Sequence, residues 1–196
     1  MPRIQAATVA EHRAMQRKAI LDAARDILAL GGSEIPSLAA VAQRTGLARS
    51  SIYQYFSSKN DLLDAVIADM FPRWAAYVQA RVDEASTPAA RALAYVDANL
   101  HLVASGEHAI ARGLAAFART ESLLESSKTL HDQLRTPLFE ALTDLGCTDP
   151  EAMGELIQAV VQRASLMLES GDIPEDRARA LARELLGPYL ERGASS

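Results

Sequence analysis

The sequence is poor in the features that disulfide crosslinking, secretion or membrane insertion requires. Cys147 is the only cysteine in 196 residues, so the chain cannot form an internal disulfide. No apolar run approaches the roughly 18 residues of a membrane-spanning helix. The N-terminal residues also lack the apolar segment and small-residue cleavage site of a secretory signal. We therefore expect a soluble, cytoplasmic protein that does not contact a membrane.

Catalytic motifs are also missing. The sequence contains neither a phosphate-binding GxxxxGK[ST] loop nor an HExxH zinc motif, and its four histidines are scattered. Paired carboxylates such as Asp83-Glu84 and Glu175-Asp176 fall near predicted helix ends, where solvation or the helix dipole explains them. We expect no enzyme, no metal site and no cofactor.

Charge is distributed unevenly along the chain. Residues 1–59 hold eight Lys and Arg against four Asp and Glu, whereas residues 60–196 hold twelve against 21. A basic N-terminal part on an acidic body is typical of a protein in which only the first part meets phosphate, although chance could also produce it.

Helical periodicity dominates the apolar pattern. Ile20, Leu21, Ala24, Ile27 and Leu28 recur at helical spacing, and β-branched residues never alternate over a strand-length window. The sequence therefore predicts an all-α fold of about nine helices. After a helix at 59–84, we expect helices near 88–105, 107–118, 121–145, 150–170 and 174–190, with breaks at Gly and Pro positions that include Gly187-Pro188.

The strongest local signal is LAAVAQRTGLARSSIYQYFS at residues 38–57. It fits two short helices that cross at a tight turn, in which Ala42 allows close approach and Gly46 supplies a positive φ. Ser37 can cap the first helix. The predicted core between the helices is Val41, Leu47 and Ile52. The pattern indicates a helix-turn-helix, and an ordinary corner between bundle helices is the alternative.

Residues 17–65, including SLAAVAQRTGLARSSIYQYFSSKNDLLDAV, resemble the DNA-binding domain of the tetracycline-repressor (TetR) family. The resemblance implies that the second helix of the motif, about Ala48 to Tyr55, enters the major groove of operator DNA. It also implies that Lys59, at the start of the fourth helix, binds phosphate. The resulting candidate DNA contacts are Ser37, Arg44, Arg49, Ser50, Ser51, Tyr53, Gln54, Tyr55 and Lys59. Ala48 and Ala39 depart from the family pattern, and Ala48 leaves the second helix without a side-chain cap.

Beyond the motif, the chain resembles the family only in length and helical character. The resemblance implies a DNA-binding domain at 1–58 and a ligand-binding and dimerisation domain at 59–196, with helix 59–84 as the connector. It also implies that the last two helices form a two-fold dimer interface, although their apolar stripes could pack within one subunit instead. The candidate interface residues are Leu156, Val160, Ala164, Met167, Leu181, Leu185 and Tyr189.

The resemblance also implies an effector pocket among the fourth, fifth, seventh and eighth helices. Large apolar faces combined with isolated polar groups make the following residues candidates: Met70, Trp74, Tyr77, Tyr95, Asn99, Leu102, Phe117 and Glu121. Packing in the core is the alternative for most of the aromatic residues.

These observations favour a homodimeric transcriptional regulator, with repression expected because family members mostly repress, and with release by a small, largely apolar organic effector. Two alternatives stay open. The chain could be a DNA-binding protein of the nucleoid type that responds to no signal, or a redox sensor that acts through Cys147.

Overall fold

A computed structural model describes residues 9–30, 36–107 and 134–193, and every regular element in these ranges is an α-helix. The predicted all-α class is therefore confirmed for the described part of the chain. The helices are α1 (Val9–Ala29), α2 (Leu38–Thr45), α3 (Arg49–Ile52), α4 (Lys59–Asp83), α5 (Pro88–Ala104), α6 (134–144), α7 (Pro150–Glu169) and α8 (Glu175–Gly193). Of the helix expected at 107–118, only residue 107 is among the described residues. The helix expected at 121–145 is described only from residue 134.

The chain packs as two units, and α4 contributes to both, with the boundary between Asp69 and Met70. In the N-terminal unit, apolar residues of four successive helices are buried. They include Ile20, Leu21, Ala24 and Leu28 of α1, Leu38, Val41 and Ala42 of α2, Ile52 of α3, and Leu62, Leu63 and Val66 of α4.

The turn between α2 and α3 has the geometry that the sequence predicts. Ser37 caps α2 by accepting a hydrogen bond from the backbone N–H of Ala40 at 3.1 Å. Gly46 ends α2 at φ 70°, a left-handed conformation that costs a glycine little. Ala48 starts α3 without a side-chain cap, as expected.

Two expectations about this turn need correction. The second helix of the motif covers only Arg49–Ile52, and residues 53–55 form a turn. This shortening agrees with the missing cap at Ala48, because a short helix has few hydrogen bonds with which to offset uncapped amides. Leu47, expected in the small core, is only half-buried, whereas Val41 and Ile52 are fully buried.

The core of the C-terminal unit lies where α5 packs against α7 and α8. Tyr95 and Leu100 of α5, Leu138 and Leu142 of α6, and Ile157 of α7 are all completely or almost completely buried. Gly154 of α7 lies against the Phe139 ring of α6. A Cβ atom there would lie 2.5 Å from that ring, so a larger residue would force the ring to shift.

The break expected at Gly187-Pro188 is wrong, because α8 continues through Pro188 to Gly193. A proline inside a helix removes one backbone hydrogen bond. The helix nevertheless continues because Leu186 before the proline and Leu190 after it are both buried in the core of the C-terminal unit. Tertiary burial outweighs the local helix-breaking signal here.

Candidate nucleic-acid interface

The second helix of the motif and the turn after it expose polar side chains. Arg49, Ser50 and Gln54 are exposed, and Tyr53 retains 48% of its accessible surface. The Arg49 guanidinium lies 5.8 Å from the centre of the Tyr53 ring and is 3.4 Å from its hydroxyl. Ser51 is half-buried. These candidate DNA contacts therefore lie together on one short segment with side chains that can donate hydrogen bonds outward.

Tyr55 has a different environment from Tyr53. It is half-buried, and its hydroxyl donates a hydrogen bond to Gln16 Oε1 of α1 at 2.5 Å. The guanidinium of Arg13 lies 5.7 Å from the centre of the Tyr55 ring. Arg17, one helical turn later, lies 5.6 Å from the centre of the Phe56 ring. Sequence reasoning missed all three α1 residues, although their spacing of three and four positions in a basic segment was a usable signal.

Acidic side chains neutralise one group of basic residues in this unit. Lys18 Nζ lies 2.7 Å from Asp22, and Arg25 lies 3.1 Å from the same carboxylate. Arg44 directs two guanidinium nitrogens, at 3.2 and 2.9 Å, to one carboxylate oxygen of Asp26. Arg44, a candidate DNA contact, therefore binds α1 in this structure.

A second group of basic residues makes no ion pair with any described residue of this unit. These residues are Arg13, Arg17, Arg49 and Lys59, and all four are exposed. Three of them lie against aromatic rings of the segment 53–56. The unpaired positive charge is therefore concentrated next to the helix-turn-helix.

Ser37 and Lys59 lie at helix starts. The Ser37 oxygen accepts the capping hydrogen bond, which leaves the hydroxyl hydrogen able to bind an acceptor outside the domain. Lys59 is the exposed first residue of α4. The Asp61 carboxylate already accepts hydrogen bonds from the Ser57 backbone N–H at 2.8 Å and the Ser57 hydroxyl at 3.0 Å. A phosphate near this helix start would therefore meet a carboxylate as well as an ammonium group.

The seven candidate interface residues of α7 and α8 all line one groove, called the apolar groove below. Leu156 and Leu185 are 62% and 64% exposed, which is unusual for leucine, and Tyr189 is also exposed. The remaining lining is mostly aliphatic, and Arg163 is its charged member. The structure thus brings together every residue of this predicted set on one surface.

Cys147 lies near one end of this groove. It is half-buried, and its Sγ atom is 3.2 Å from the hydroxyl of Tyr189. This hydrogen bond is the main reason that the pKa of Tyr189 is raised, with burial contributing less. The contact gives the thiol a structural partner.

The candidate effector residues occupy several environments in the C-terminal unit. Met70, Trp74 and Tyr95 are buried, and the Trp74 indole N–H donates to Glu107 at 3.0 Å. Tyr77, Asn99 and Leu102 are half-buried. Phe117 and Glu121 lie outside the described residues.

Tyr95 and Tyr77 show how these environments differ. The Tyr95 hydroxyl accepts a hydrogen bond from the Gln158 amide, and burial raises its pKa. Tyr77 instead lines a polar cleft formed by α4, α5 and α8, where its ring lies 5.6 Å from that of His101. His101 in turn contacts Glu175 at 3.0 Å. Tyr95 therefore has a satisfied core position, whereas Tyr77 borders open space.

Within residues 9–30, 36–107 and 134–193, no helix is both long and apolar enough to cross a membrane. The same ranges contain no group of three or more His, Cys, Asp or Glu side chains arranged to hold a metal ion.

The helices of the described residues and the N-terminal motif define the class as a helix-turn-helix protein. Residues 20–66 match the model of the family "Bacterial regulatory proteins, tetR family". This stretch of the chain is therefore similar to the N-terminal part of TetR-family transcriptional regulators. No curated protein matches the sequence.

Solved structures extend the likeness to almost the whole chain at the level of fold. A TetR-like transcriptional regulator from Rhodococcus sp. RHA1 is 21% identical with a TM-score of 0.72, covering 89% of this chain and 97% of its own. A transcriptional regulator from Saccharomonospora viridis in complex with choline is 13% identical with a TM-score of 0.79, covering 89% and 96%. The regulator FadR from Bacillus subtilis in complex with stearoyl-CoA is 19% identical with a TM-score of 0.70, covering 91% and 97%.

Proposed function

We propose that this chain is a homodimeric, ligand-responsive transcriptional regulator that binds palindromic operator DNA. In this proposal residues 1–58 bind DNA, residues 59–196 bind the effector and the second subunit, and helix 59–84 connects them. Arg49, Ser51 and Gln54 contact base edges. An arginine side chain suits guanine, a glutamine side chain suits adenine, and a serine hydroxyl can bond to either of these bases. Ser37, Ser50, Tyr53 and Lys59 contact the phosphate backbone or flank it.

The observation that carries this proposal is the exposed, unpaired charge beside the helix-turn-helix. Arg49 and Lys59 have no ion-pair partner among the described residues, whereas Lys18, Arg25 and Arg44 of the same unit are paired. A structural role within the domain would favour pairing these cations with carboxylates, as happens for Arg44. Cations that stay exposed near one short helix are suited to an anionic polymer outside the domain.

The apolar groove and the geometry of DNA both support dimerisation. Exposed apolar surface of this kind is typical of a protein contact site. A dimer that reads a palindrome must place its two recognition helices about 34–36 Å apart on one face of the duplex. We propose that α7 and α8 of two subunits pack across the apolar groove to form that dimer.

The effector is proposed to be a small, largely apolar organic molecule bound in the C-terminal unit, and its binding is proposed to release the DNA. Choline and stearoyl-CoA in the complexes of two structural neighbours support ligand binding by this fold. Repression is the proposed direction, because blocking promoter access requires only DNA binding. Nothing in this scheme requires catalysis, a cofactor, a metal or a membrane.

The test is selection of bound sequences from random and genomic DNA by the purified protein at about 0.15 M salt. Enrichment of a two-fold palindrome supports the proposal, because specific binding exceeds nonspecific binding by roughly 4–10 kcal/mol. Binding without enrichment would instead favour the signal-independent, nucleoid-type alternative. Absence of binding in protein freed of bound small molecules would refute DNA binding.

A further inference from the structure

We propose that Arg13 and Arg17 of α1 form an additional binding site for the DNA phosphate backbone, beside the helix-turn-helix. The inference rests on the proposed function, since it assumes that this unit binds DNA. It adds a second element, outside the recognition segment, to the protein surface that contacts the duplex.

The two arginines share one face of α1. They are four residues apart, a spacing that places side chains next to each other on a helix. Both are exposed, and their guanidinium groups lie against Tyr55 and Phe56, at the end of the turn that follows α3. This arrangement fixes two cations close to the segment that enters the groove.

A guanidinium that lies over an aromatic ring is still able to bind phosphate. Attraction between a cation and a ring does not use the N–H donors of the guanidinium, so they stay available to an acceptor. An arginine held in this way can present two parallel donors to one phosphate group. It also loses less side-chain entropy on binding, because the ring already restricts it.

Charge pairing distinguishes these arginines from their neighbours on α1. Lys18 and Arg25 both contact the carboxylate of Asp22, and Arg25 also lies 3.7 Å from Asp69. Arg13 and Arg17 make no ion pair with any residue in the described ranges. Their positive charge therefore remains available for an external anion.

The hydroxyl of Tyr55 explains why arginines are needed at this location. That hydroxyl donates its one hydrogen to Gln16, and a phosphate oxygen can only accept. The Tyr55 hydroxyl therefore cannot donate to phosphate while this hydrogen bond persists. The Arg13 guanidinium next to its ring supplies the missing donors, and Gln16 acts as a positioning residue for Tyr55.

The first experiment measures DNA affinity against salt for Arg13→Gln, Arg17→Gln and the wild type. The probes are a mixed-sequence duplex and the palindrome enriched by selection. Each phosphate contact contributes about 0.9 to the slope of log affinity against log salt, so each substitution should flatten the slope of a dimer by as much as about 1.8. The loss should be similar for both probes, because phosphate contacts carry no sequence information.

Lys18→Gln is the matched control, because it removes one charge from the same helix at a residue already paired with Asp22. Its slope should equal that of the wild type. Slopes for Arg13→Gln and Arg17→Gln that match the Lys18→Gln slope would overturn the inference while leaving the proposed function intact. Failure of the wild type to bind either probe would refute the proposed function itself.

A second measurement uses the unmodified protein and does not depend on variants that fold. A dicarbonyl reagent that modifies arginine is applied with and without the mixed-sequence duplex, and the modified peptides are quantified by mass spectrometry. DNA should protect Arg13 and Arg17. Equal modification of both residues with and without saturating DNA would refute the site.

Discussion

Leu185→Ala provides the sharpest test of the proposed dimer. Burying a leucine side chain contributes about 2 kcal/mol, and Leu185 leaves 64% of its surface exposed in the single subunit. About 1.3 kcal/mol therefore becomes available when a second subunit covers it, or about 2.6 kcal/mol for both copies in a dimer. The substitution should raise the dimer dissociation constant roughly a hundredfold.

Sedimentation equilibrium over a range of protein concentrations measures this constant directly. Leu30→Ala is the matched control, because Leu30 is 77% exposed but lies in the N-terminal unit, outside the apolar groove. It should leave the dissociation constant unchanged. The reasoning is wrong if the wild type sediments as a monomer at micromolar concentration, or if Leu185→Ala dimerises as tightly as the wild type.

Three further predictions concern stability, each measured by thermal or urea unfolding. Gly154→Ala should destabilise the protein by about 1–3 kcal/mol, because the added Cβ would lie 2.5 Å from Phe139. Gly187→Ala is the control, because a Cβ at that position meets nothing within 4 Å. It should stabilise the protein by up to about 1 kcal/mol. Ala48→Ser should add about 0.5–1 kcal/mol by capping α3, and unchanged stability would contradict this. Burial raises the pKa of Tyr95 in the folded protein above its ordinary 10.0. As pH rises, Tyr95 of the unfolded chain therefore loses its proton first, and the free energy of unfolding should fall as pH rises through 10. Tyr95→Phe should reduce that fall.

Local sequence signals predict the helix-turn-helix well because its requirements are local. A cap at Ser37, a positive φ at Gly46 and buried apolar residues at Val41 and Ile52 each depend on neighbours only a few positions away. The candidate residues of the apolar groove could also be found, because a helical stripe reports burial against something. The sequence alone does not identify what covers the stripe.

Pairing between distant residues is where sequence reasoning fails. Arg44 and Asp26 are 18 positions apart, and nothing local indicates that they form an ion pair. The Tyr55–Gln16 hydrogen bond spans 39 positions, and no local pattern indicates it. The same limitation applies to α8, where burial of Leu190 keeps the helix intact past Pro188.

The two proposed surfaces differ in chemistry and lie in different units, so their contributions to DNA binding can be separated. Weakening the apolar groove lowers the concentration of dimer without removing any cation from the N-terminal unit. Leu185→Ala should therefore bind DNA more weakly at low protein concentration, yet keep the wild-type salt slope once enough protein is present to form dimers. Arg13→Gln should show the opposite combination, with an unchanged dimer and a flatter slope. A general folding defect would lower DNA affinity in both variants without separating the dimer dissociation constant from the salt slope. The two opposite results together therefore require that dimerisation and phosphate contact are independent.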